Sequence, residues 1–161
     1  MIERANDGLL RLAIVILAVA DGVLHFALDF ILFRGRLIGN PFNGPPPGAP
    51  PGAPAGPPPS PLILPLNELF LLNFIGWVVL AVLFWLSPRL LGARRWLVDV
   101  AMMLYAAATI GGWVLYGMPN PRGLGYTAKG LEVVIIVALA VHVWMILREQ
   151  RAVKPAAVAQ A

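Results

Sequence analysis

The chain has no cysteine and only two histidines, and its only serines are Ser60 and Ser87, each followed by proline. The missing cysteine excludes disulfides, thiolate metal sites, iron–sulfur clusters and c-type haem attachment. There is no Gly-x-Ser-x-Gly, no His-Glu-x-x-His and no phosphate-binding glycine loop, so no hydrolase or nucleotide-enzyme signature is present. Charge is scarce as well. Of 161 residues, 12% are charged and 59% hydrophobic, and mean hydropathy is +0.78. Soluble domains carry about 25% charged residues, so a soluble globule is excluded. The formal net charge of +4 accompanies no nucleic-acid motif, so it is read as loop topology and not as a nucleic-acid partner. No internal repeat is visible, which leaves an inverted-repeat transporter unsupported.

What is present is four apolar runs, at about 9–33, 64–86, 96–116 and 131–147. Each is long enough to cross a bilayer. Backbone polar groups in hydrocarbon must be satisfied within a helix or a closed barrel, and four segments cannot close a barrel. The expected fold is therefore all-α, an integral four-helix transmembrane bundle forming one domain, with helices 2, 3 and 4 as sequential antiparallel neighbours. Arg4 and Arg11 precede the first run, and Ala18-Val19-Ala20 looks like a leader cleavage site. The apolar pattern resumes beyond it to Phe33, so the reading is a retained helix. Between runs one and two lies a Pro/Gly/Ala-rich stretch, 40–61, which can form neither helix nor sheet ladder and is expected to be a disordered loop. A docking ligand for an aromatic groove is its sharper reading. Ser87-Pro88 is expected to stop the second helix, and Pro119-Asn120-Pro121 the third.

Charge orients the bundle. Eight cations (Arg4, Arg11, Arg89, Arg94, Arg95, Arg148, Arg151, Lys154) lie on the side of the termini, and four (Arg34, Arg36, Arg122, Lys129) on the other. Both termini are thus expected in the cytoplasm, with the Pro-rich loop outside, in a cell membrane such as a bacterial inner membrane. Ala18-xxx-Gly22, Ala107-xxx-Gly111 and Ala108-xxx-Gly112 offer small-residue surfaces for close helix approach.

Asp21, His25 and Asp29 stand four residues apart inside the first run, on one helix face that drifts about 40° per step. Titratable groups inside a span face a protein interior or a wet cavity. With about 1.5 Å of rise per residue, His25 and Asp29 share a layer with Asn67, Glu68 and Asn73 of the second helix and Glu132 of the fourth. Lys129, Tyr126, Arg34 and Arg36 form its rim. Glu68 and Glu132 also fit a first-turn role against the helix dipole. Asp21, near the midplane, must be protonated or partnered. Asp99 is expected to pair with Arg95, four residues earlier.

This layer points first to a non-enzymatic accessory or interaction subunit, or to a small-ligand binder, with the bilayer and a membrane-protein partner or second copy as partners. A proton- or cation-coupled transport component is the alternative, weakened because the inner half offers mainly Asp99. A quinone-, haem- or metal-dependent redox protein is the third. No cofactor is favoured. Metal lacks a Glu-x-x-His motif and a second histidine in the layer. For haem, His25 and His142 differ by about 10 Å in depth. Quinone would sit near His25 and Tyr105.

Overall fold

The spacing of buried side chains explains why the chain forms long helices. On the first helix Arg11, Ile14, Ala18, Asp21, His25 and Leu28 are buried, at alternating steps of three and four residues. On the last, Ala128, Glu132, Ile135, Leu139, His142 and Ile146 follow the same rule. This is the seam of antiparallel helices packed side by side.

The structure, a computed structural model, describes residues 2–33, 66–115, 117–118, 120 and 123–158, so the Pro-rich stretch 40–61, Arg34 and Arg36 lie outside the described residues. Within it run α1 (Ile2–Phe33), α2 (Leu66–Leu91), a 3₁₀ turn (Gly92–Arg94), α3 (Trp96–Leu115) and α4 (Leu124–Val158). The described residues contain no strand. All four α-helices hold a stretch long and apolar enough to cross a membrane, at Asp7–Phe30, Asn67–Arg94, Trp96–Leu115 and Leu124–Ala152. The protein has the build of a multi-pass membrane protein.

Several helix boundaries differ from the expected spans, with α1 starting at Ile2 and α4 ending at Val158, and two of the differences have a visible cause. Pro88 does not end α2; it lies inside a helix that continues to Leu91. Proline removes the amide that would bond the carbonyl four residues back, here Phe84. That carbonyl accepts instead from Arg11 Nη2 at 2.7 Å and from Ser87 Oγ at 2.8 Å, and Arg11 Nη2 also reaches the Trp85 carbonyl at 2.9 Å. Arg11, counted among the cations on the side of the termini, is thus buried against α2, its guanidinium 4.9 Å from the Phe84 ring centroid. The second difference is α4, which starts at Leu124 because Asn120 Oδ1 accepts the Tyr126 amide at 3.2 Å. Gly117 ends α3. At φ 79° its amide bonds the Val114 carbonyl at 3.0 Å, and the Met118 amide bonds that of Trp113 at 3.0 Å, a Schellman closure.

α1 packs on α2 and α4, and α3 packs on α4 with a narrower contact to α2. Ile14, Ala18, Trp77, Met102, Ile135 and Leu139 form the fully buried middle of the bundle. Ala18 and Gly22 do face α2, where a Cβ on Gly22 would come within 3.2 Å of Trp77 Cβ. The small residues of α3 do not serve this purpose. Ala107, Ala108 and Gly111 are exposed, and nothing lies within 4 Å of a Cβ placed on Gly111 or Gly112. The close approach between α2 and α3 runs through Gly76 instead, whose missing Cβ makes room for the Tyr105 ring and hydroxyl.

Candidate functional site

Because α1 and α4 run antiparallel, their polar seam positions meet at two levels. Asp21 and His25 face Glu132, and Asp7 and Arg11 lie at the level of His142. Ten residues separate Glu132 from His142 and likewise Asp21 from Arg11, about 15 Å along a helix.

At the first level, Asp21, His25 and Glu132 are 0%, 2% and 0% exposed. His25 Nδ1 lies 2.9 Å from the Asp21 main-chain carbonyl and 3.2 Å from its carboxylate Oδ2. A carbonyl only accepts, so Nδ1 donates and carries the proton. In the neutral ring Nε2 is then left with its lone pair, an arrangement that the Lys129 ammonium 3.4 Å away favours. That lone pair lies 3.6 Å from Glu132 Oε1, another acceptor. Lys129 Nζ joins them, donating to Glu132 Oε1 at 2.6 Å and to His25 Nε2 at 3.4 Å. Two lone pairs from two helices therefore converge on one position, which a tethered ammonium shares. Lys129, expected on the rim, is buried inside the layer. The Thr109 hydroxyl of α3, which donates to the Ala106 carbonyl, also lies beside Glu132.

The layer remains rich in acceptors. Asp21 Oδ1, both oxygens of Asp29 and Oε2 of Glu132 are buried without a hydrogen-bond partner among the described residues, and Asp21 Oδ2 has the 3.2 Å contact with His25 Nδ1. Asp21, His25 and Glu132 each present one ligand atom, and these atoms lie within 4.8 Å of one another. A nitrogen and two carboxylate oxygens are a donor set for zinc, manganese or iron. The absence of a second histidine weighed against metal in the sequence, yet the set needs only one. Its third ligand arrives from α4, 107 positions after His25.

The other expected residues distribute as follows. Asp29 is fully buried one turn beyond His25, without a bond to Lys129. Asn67 and Asn73 are buried, and Glu68 is half-buried. The Tyr105 hydroxyl, 3.3 Å from the Asn73 carbonyl and 3.4 Å from that of Leu72, donates to the α2 backbone there and not to His25. Tyr126 is exposed and meets Trp113 edge-on, at 5.4 Å between ring centroids.

The second level was not read as a site from the sequence. His142 is fully buried, with Nδ1 2.7 Å from Asp99 Oδ1 of α3 and Nε2 3.0 Å from Asp7 Oδ1 of α1. Asp99 does not pair with Arg95 as its spacing suggested. Arg95 turns to Asp7 at 3.6 Å and to Glu149 at 3.3 Å. The half of the bundle nearer the N-terminus of α1 thus holds Asp7, Arg11, Arg95, Asp99, His142 and Glu149, more than Asp99 alone, with the apolar middle of the bundle between them and the first level. The seam spacing was the available signal: His142 lies three after Leu139, seven after Ile135 and ten after Glu132, on the face already marked. Comparison with known protein families, with curated proteins and with solved structures returned no match.

Proposed function

We propose that this is a plasma-membrane protein, with both termini cytoplasmic and the Pro-rich loop outside, that binds a divalent transition-metal cation in the outer half of the bundle. The ligands are Asp21, His25 and Glu132. The observation that carries the reading is the convergence of His25 Nε2 and Glu132 Oε1 on the position shared by Lys129 Nζ. Two lone pairs 3.6 Å apart repel unless a positive charge lies between them. Without the metal that charge is Lys129, and with the metal Lys129 withdraws along its flexible stem. The Asp21 carbonyl holds the imidazole in the tautomer that offers Nε2, as carbonyls do behind metal-bound histidines. Three protein ligands leave a coordination position open for water or a bound group, unlike closed structural sites.

The test is binding of Zn²⁺ and Mn²⁺ to the full-length protein in detergent, by calorimetry and elemental analysis. One ion per chain is expected. His25→Gln and Glu132→Gln should weaken binding by roughly tenfold or more, and Lys129→Met should tighten it by a similar factor, because a charged hydrogen bond of about 1.5–3 kcal/mol no longer competes. Helix content by circular dichroism controls for folding. Stoichiometric binding that His25→Gln leaves unchanged, or no binding by a folded protein, overturns the reading.

A further inference from the structure

The second cluster differs from the first in that its histidine is bonded at both ring nitrogens. Asp7 and Asp99 supply carboxylates and Arg11 and Arg95 guanidinium groups, while the carboxylate of Glu149, at the exposed edge, pairs with Arg95. His142 stands between two of those carboxylates, at 2.7 and 3.0 Å. A neutral imidazole has one donor nitrogen and cannot satisfy both. For both bonds to form, Asp7, His142 and Asp99 must share two protons. The imidazolium form supplies both donors, one to each carboxylate oxygen at 2.7 and 3.0 Å.

The groups facing His142 come from every helix around it: Asp7 and Arg11 of α1, the Phe84 ring of α2 at 5.3 Å, Asp99 of α3 and, one bond further out, Arg95 and Glu149. Asp99 is fully buried, whereas the Asp7 side chain is 19% exposed. Of the two acceptors, Asp7 is the one that reaches the surface, so the proton leaves through it. The His142 Nε2–H bond breaks, the proton passes to Asp7 Oδ1, and it leaves from the Asp7 carboxyl to water at the end of the bundle holding the N-terminus of α1. The first cluster lies about 15 Å away, across the apolar middle of the bundle. At that distance, with an effective dielectric of about 20, each unit of charge gained by one site changes proton occupancy of the other by roughly sixfold.

We infer that Asp7, His142 and Asp99 form a second, proton-carrying site, and that filling the Asp21–His25–Glu132 site expels its proton, so that the bundle exchanges a metal cation for a proton. The inference rests on the metal reading of the first site, and linkage makes it reciprocal: proton loss from His142 favours the metal.

The experiment uses full-length protein, ¹⁵N-labelled at histidine, in detergent micelles at fixed pH, with Zn²⁺ as the probe. The chain has two histidines, so His142→Gln assigns the signals. Before Zn²⁺, both nitrogens of His142 should carry protons. On Zn²⁺ binding, the ratio of neutral to protonated His142 should rise roughly sixfold per unit of charge gained at the first site. Protons released per Zn²⁺ bound, counted by calorimetry in two buffers, should fall in Asp7→Asn while the metal stoichiometry is kept. Zn²⁺ binding with the His142 ratio unchanged overturns the exchange and leaves the first site standing. Absence of Zn²⁺ binding overturns both. A His142 that is neutral from the outset overturns the proton-carrying site by itself.

Discussion

Replacing Arg11 tests how a proline came to lie inside a transmembrane helix. Arg11 Nη2 donates to the Phe84 carbonyl at 2.7 Å and the Trp85 carbonyl at 2.9 Å. Hydrogen bonds to charged groups contribute about 1.5–3 kcal/mol each, so Arg11→Met removes about 3–6 kcal/mol of gross interaction. Two effects offset part of this. Ser87 Oγ still serves the Phe84 carbonyl at 2.8 Å, and methionine relieves the buried, unbonded Arg11 Nη1. The expected net destabilisation is about 2–4 kcal/mol. The diagnostic is the cycle with Pro88→Ala. Alanine restores the amide that proline lacks, and that amide reaches the Phe84 carbonyl. Arg11→Met should then cost about 1–2 kcal/mol less than it does beside Pro88. The measurement is SDS-induced unfolding in mixed micelles, followed by tryptophan fluorescence. Equal costs in the two backgrounds, within about 0.5 kcal/mol, would show that Arg11 does not compensate the proline.

Three further outcomes are expected. Gly22→Val should destabilise the bundle by about 1–3 kcal/mol in the same assay, because a Cβ there already meets Trp77 Cβ at 3.2 Å and the Phe74 carbonyl at 3.4 Å. His142→Leu should lower stability by about 3–5 kcal/mol, since it leaves the fully buried Asp99 without its partner, and His142→Gln should lower it less; equal losses would argue against an electrostatic origin. Reporter fusions placed after Ala161 and within 40–61 should report opposite sides of the membrane, the first cytoplasmic. With the buried Arg11 and Lys129 set aside, the cation count across the two sides is seven to three, the same direction as before.

Much of the first cluster was legible. Asp21, His25 and Glu132 were named from spacing and depth alone, because the period of a helix and its rise per residue fix both the face and the level of a side chain. Lys129 was misplaced for a physical reason: rim and interior differ by one turn, and a lysine stem spans that distance. Asp99 was misassigned because i, i+4 spacing within one helix permits a pair but does not compete it against partners on other helices. Arg95 had Asp7 and Glu149 available, and Asp99 had His142.

The sequence by itself determined that the chain is helical and membrane-spanning, since apolar runs of that length leave the backbone no other way to satisfy its polar groups. It determined also which face of α1 is polar. Only the tertiary structure decided which polar groups meet. Pairing depends on the rotation and register of one helix against another, and these are set by features that local pattern does not reveal. Gly22 lets α1 close on Trp77, Gly76 admits Tyr105, and the carbonyl freed by Pro88 draws in Arg11. With those contacts in place, His25 falls opposite Glu132 and His142 falls between Asp7 and Asp99.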